Sequence, residues 1–137
     1  MATLTTKKRH SSSVKTLVAQ NDSSGNLSTT YKITIDPIDV ETFERASIQI
    51  RNTDGSIAYV AQVFGTLFGA PTAPSTAAAA GSHWAQIGDD IDITASSGTL
   101  KSISTTGLRQ LCVRIKSASG TPALGDGNCL VFLQGTI

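Results

Sequence analysis

The sequence predicts an all-β chain folded as a single β-sandwich, jelly-roll-like, with about eight strands. Three observations predict it. Short runs alternate apolar and polar residues with a period of two, as half-buried strands do. Turn residues punctuate the chain roughly every ten residues. No window of eleven residues sets apolar side chains at helical spacing between caps. The chain has 137 residues, the size of one domain, and that length buries a core without disulfides or a metal. Residues 1–13 read as a basic polar arm and residues 14–137 as the sandwich domain.

The elements follow in order. VKTLVAQ (Val14–Gln20) is a first strand, closed by the turn-rich NDSSGN. YKITI (Tyr31–Ile35) alternates, which puts Tyr31, Ile33 and Ile35 on one face. DPIDVET reads as a break, because Pro37 lacks a donor and biases Asp36 away from helix. IDVETFERA is the best helical candidate, at most one turn. RASIQIRN turns Ala46, Ile48 and Ile50 inward, with Arg45, Ser47, Gln49 and Arg51 outward. TDGS (Thr53–Ser56) is a hairpin signal, since Asp-Gly tolerates the positive φ of a type I′ turn. IAYVAQVFG then returns, with Ile57, Tyr59, Ala61 and Val63 on a common face.

A long low-charge stretch follows, from Phe64 to Gly98. It holds the one Trp (Trp84), two of the four prolines (Pro71 and Pro74) and an alanine run. TLKSIS is a weak strand. LRQLCVRIKS is a strong one, with Leu111, Val113 and Ile115 facing one way and Gln110, Cys112, Arg114 and Lys116 the other. SGTPALGDGN is a loop, and CLVFLQGTI ends the chain as an apolar strand. No fixed-period repeat is visible.

Composition narrows the function. Charged residues make up 15% and the net charge is +1, against about 25% charged in an average soluble domain. Such a chain has no global field for nucleic acid, which is not expected as a partner. The amino-terminal segment lacks the apolar run of a signal peptide, and no stretch approaches membrane-spanning length, so neither secretion nor a membrane is expected. Cys112 and Cys129 match no zinc spacing and are expected as free thiols.

No enzyme is expected. No serine lies in a nucleophile elbow, the two histidines (His10 and His83) read as surface residues, and no phosphate-binding glycine loop occurs. Asp89, Asp90 and Asp92 are the one carboxylate cluster. Calcium would need several converging oxygens. The residues fit better as a turn after Gly88 (Asp89, Asp90) and an outward strand position (Asp92). No catalytic residue, cofactor or metal is assigned. Arg114 and Lys116 share a strand face that reads as solvated. The arm residues Lys7, Lys8 and Arg9 could meet phosphates or, as preferred here, an acidic groove on a protein partner.

AYVAQVFGTLFG, HWAQIGDDIDITASSG, LRQLCVRIKSASG and CLVFLQGTI occur in that order. Over about residues 44–137 this phrase resembles the compact β-sandwich domains of tailed-bacteriophage virion proteins. More distantly it resembles discoidin-type carbohydrate-binding sandwiches. The resemblance implies that Trp84 packs at the sandwich edge and that the strand of Leu111, Val113 and Ile115 is central. It implies a structural protein made in the host cytoplasm and resident in the virion. Foremost is a capsid decoration or cement protein bound to the major capsid protein or other virion subunits, acting as a homo-oligomer, a trimer favoured. A neck, tail or fibre component is the alternative, and a sugar-binding module the second. The expected contact residues are Lys7, Lys8, Arg9, Pro71, Pro74, His83 and Trp84.

Overall fold

The computed structural model describes residues 14–20, 25–68, 83–125 and 127–135, with Leu17 the one side chain described along 14–20. Nine strands run through them: β1 (Val14–Gln20), β2 (Lys32–Asp39), β3 (Phe43–Asn52), β4 (Tyr59–Thr66), β5 (Ala85–Gln86), β6 (Ile91–Ile93), β7 (Ser97–Ser104), β8 (Gln110–Ser117) and β9 (Cys129–Gly135). No helix longer than a single 3₁₀ position interrupts them among the described residues. One sheet has the order β1-β9-β3-β7. The other has the order β2-β8-β4, with β5 and β6 sharing the place beyond β4. All pairings are antiparallel. With β5 and β6 counted as one position, the strands fill two interlocked sets of four. This is a β-sandwich with jelly-roll-like connectivity.

The core lies between the sheets. Ala46, Ile48 and Ile50 of β3 face Tyr59, Ala61 and Val63 of β4 and Leu111, Val113 and Ile115 of β8, with Val131 and Leu133 of β9. For β3, β4 and β8 these are the inward phases the alternation predicts, except that Ile57, expected with Tyr59, Ala61 and Val63, precedes β4 and is half-buried. Each fully buried aliphatic of this kind contributes about 1.5–3 kcal/mol. Tyr59 is wholly buried, yet its hydroxyl donates to the Ala123 carbonyl at 3.1 Å, so its polar tip is satisfied.

Hydrogen bonds gather the connections at two ends. At one end Leu27 N donates to Pro122 O, Ser96 N to Asp54 O and Ala118 N to Ala58 O. At the other, Val40 N donates to Arg109 O, Arg109 N to Thr66 O and Thr105 N to Glu44 O.

Five local expectations are corrected. TDGS does not close a hairpin, because β3 and β4 belong to different sheets. Gly55 is not among the positive-φ glycines, so no type I′ turn forms. Instead Asp54 Oδ1 accepts from Ser56 N and Ile57 N, and side-chain caps carry the chain across the sandwich. Pro37 does not break the chain: β2 runs through it, at an edge and inside a register shift between Ile35 and Ile38. A missing donor costs nothing there. A second shift, between Ile33 and Ile35, separates the expected trio. Ile33 pairs with Arg114 on the outer face, whereas Ile35 is buried in the core. The segment IDVETFERA contains a turn and the start of β3, with no helix. Finally, Arg114 is not solvated; it is 5% exposed.

Candidate contact surface

The outer face of the β2-β8-β4 sheet carries the densest polar chemistry among the described residues. Antiparallel register builds it. Gln62 of β4 lies opposite Arg114 of β8, Phe64 opposite Cys112, and Val60 opposite Lys116. Asp92 of β6 and Gln86 of β5 extend these rows, opposite Val60 and Phe64.

Arg114 sits at the centre. Its guanidinium lies 4.5 Å from the centroid of the Tyr31 ring and 4.7 Å from that of Phe64. Aromatic faces attract a cation in this geometry, more strongly when water is excluded. Arg114 Nε donates to Gln62 Oε1 at 2.8 Å. Gln62 Nε2 in turn donates to Asp90 Oδ1 at 2.8 Å, and Gln86 Nε2 donates to the same oxygen at 2.8 Å. One glutamine thus links a buried cation to a rim carboxylate. The two glutamine bonds hold the Asp90 carboxyl below its ordinary range, against the opposing effect of burial. Lys116 Nζ lies 4.8 Å from the Tyr31 ring centroid. The Tyr31 hydroxyl is pushed up, by burial first and by Asp90 next.

Beside this network, Trp84, Phe64 and Cys112 form a second, smaller apolar cluster. Trp84 is 7% exposed, so it packs next to the sheet edge and offers little ring surface to a partner. Burial raises the Cys112 thiol to about 12. A thiol that stays protonated is not a nucleophile at neutral pH. The Cys129 thiol, in the main core, is likewise raised to about 12 by burial. Neither cysteine is joined in a disulfide.

His83 is exposed and sets its ring edge-on to Phe68, with centroids 4.4 Å apart. Phe68 is 54% and Leu67 71% exposed. Leu67, Phe68 and His83 flank the stretch 69–82 and form an exposed apolar, aromatic lip. Lys7, Lys8, Arg9, Pro71 and Pro74 lie outside the described residues. Of the predicted contact residues, the structure therefore places two, His83 at the surface and Trp84 beneath it. Asp89 and Asp90 do follow a left-handed glycine, Gly88 at φ 73°, and Asp92 does point outward from β6. No group of three or more His, Cys, Asp or Glu converges as metal ligands among the described residues.

Sequence reasoning missed the Tyr31–Arg114–Gln62–Asp90–Gln86 network. One signal was present. The outward phases of β4 and β8 mix large apolar residues (Phe64, Cys112) with polar ones (Gln62, Arg114), which a merely solvated face has no need of. Compared with protein-family models, with curated proteins and with solved structures, the chain matches none.

Proposed function

We propose that the chain is a structural subunit of a virus particle, acting on the head as a decoration or cement protein of the tailed-phage kind. The observation that carries this reading is the strand order β1-β9-β3-β7 against β2-β8-β4-β5. Jelly-roll sandwiches of this connectivity build viral shells and also lectin domains. The lectin-like alternative needs exposed aromatic rings for a sugar to stack on. Here Trp84 and Tyr59 are buried and the Tyr31 ring is covered by Arg114 and Lys116, which leaves Phe68 as the one large exposed aromatic hydrocarbon ring among the described residues, too few for a stacking platform. A surface poor in charge, with an exposed apolar lip at Leu67 and Phe68, suits broad contact with other subunits.

The mechanism is mass action. Each copy that binds the assembled head and not its separated parts adds about 2.7 kcal/mol of stability at a hundredfold excess over its Kd. The same strand order also favours a second reading, a coat subunit that builds the shell itself.

Purified chain examined by light scattering and electron microscopy separates the readings. A small defined oligomer that coats heads lacking it supports decoration. Closed shells formed by the chain alone support the coat subunit. A species that does neither refutes both, and moves the chain to the neck, tail or fibre.

A further inference from the structure

A sandwich has four sheet edges, and this one treats them unequally. β1 carries a register shift between Leu17 and Ala19. β2 carries two shifts, a proline and three charges (Lys32, Asp36, Asp39). β5 and β6 are two and three residues long. Bulges, proline, charge and brevity are the devices that stop an edge from pairing. β7 is different. Its eight residues, SGTLKSIS, pair one for one with β3 from Ser97↔Asn52 to Ser104↔Arg45, with no shift. It has a single charge, Lys101, and no strand on its other side among the described residues. Leu100, 67% exposed, projects from its outer face opposite Gln49.

We propose that β7 is a homodimer interface, at which β7 of a second copy adds antiparallel about a two-fold axis midway between the two Leu100 residues. The pleat requires outward residues to meet outward residues, so some residue must face its own counterpart across the axis. Centred on Leu100, the operation sets Leu100 against its own counterpart. Lys101 falls opposite Thr99, Ser102 opposite Gly98, and Ile103 opposite Ser97. No like charges meet directly, and the exposed leucine covers itself. Centred on Lys101, the same operation would set two ammonium groups face to face, which disfavours that register.

Lys101 lies opposite Ile48 of β3, in the inward phase of β7, and lines a cleft of ≈ 160 Å³ together with Asp89, Asp90, Val63, Ile87 and Ile103. It therefore does not stand on the outer face beside Leu100, and the register centred on Leu100 keeps the two ammonium groups from meeting. The partner is a second copy because the strand is compatible with itself, as an isologous contact requires. The product is a continuous sheet of two four-stranded halves, and a dimer replaces the trimer favoured from sequence. This inference does not rest on the virion reading.

The test uses the full chain carrying Leu100→Cys. Under mild oxidation it should form a covalent dimer, while Gln49→Cys, exposed one strand further in, should not. The native cysteines are buried and give little background. Leu100→Arg places like charges on the axis and should raise the dimer dissociation constant on the order of tenfold or more. Light scattering reads that change, and circular dichroism checks that the variant is folded. The proposal is overturned if Leu100→Cys crosslinks no better than Gln49→Cys. It is equally overturned if Leu100→Arg keeps the wild-type mass, or if the wild-type chain is monomeric throughout.

Discussion

Asn52 ends β3 and is 2% exposed. Its amide donates to Ile57 O at 2.8 Å and Ile93 O at 3.2 Å, and its carbonyl accepts from Asp54 N at 2.9 Å. One side chain thus joins the crossing between the sheets to β6. Replacing it with alanine strands buried carbonyls, and Asn52→Ala should cost about 1–3 kcal/mol, measured by urea denaturation. Arg114→Ala removes a guanidinium held between two rings and leaves Gln62 short of a partner. A loss of about 2–4 kcal/mol is expected by the same assay, with Lys116→Ala nearly silent by comparison. Neither role was legible in the residues alone. Asn52 closed the segment RASIQIRN with no face assigned and Arg114 read as a solvated outward position, because alternation reports which face a side chain takes and not what covers that face.

At the scale of elements, the sequence did specify the central strands. β3, β4 and β8 keep their predicted inward sets (Ala46, Ile48, Ile50; Tyr59, Ala61, Val63; Leu111, Val113, Ile115), since a one-residue slip would expose every one of them. β2 was misread because its two bulges break the period that the reading relied on. TDGS was misread because a turn signal says that the chain reverses, not which sheet it returns to. The packing of Ile87 and Leu108 against β4 depends on a glycine. A Cβ on Gly65 would lie 2.6 Å from Ile87 Cδ1 and 3.1 Å from Leu108 Cδ1. Gly65→Val should therefore cost about 1–3 kcal/mol by overpacking, and thermal unfolding should show it. Gly55, whose Cβ would meet nothing within 4 Å, should accept alanine with little change.

The molecule as a whole carries two buried thiols whose pKa values rise from 9.0 to about 12. The folded state keeps these protons after the unfolded chain has released them. Their contribution is complete below pH 9 and is lost as pH climbs from 9 toward 12, at most about 1.4 kcal/mol per pH unit for each thiol. Tyr31 and Tyr59, both raised mainly by burial, act in the same direction. Urea midpoints taken at pH 8, 10 and 11 should fall, and should fall less steeply when Cys112 and Cys129 are replaced by alanine. Asp90 acts at the opposite limit. Its carboxyl is lowered, so its contribution is present above the unfolded value and is lost as pH drops through the folded one. At this scale the fold class was legible, because alternation and turn spacing suffice for it. The partner was not, because a contact surface of neutral residues carries no motif of its own.

We propose that this sandwich is a structural part of a virus particle, carried on its head. Immunogold labelling of purified particles with an antibody against the chain tests it most directly. Label distributed over the whole head is the predicted result. Label confined to one vertex would contradict the head assignment, and particles that take no label would contradict the virion reading altogether.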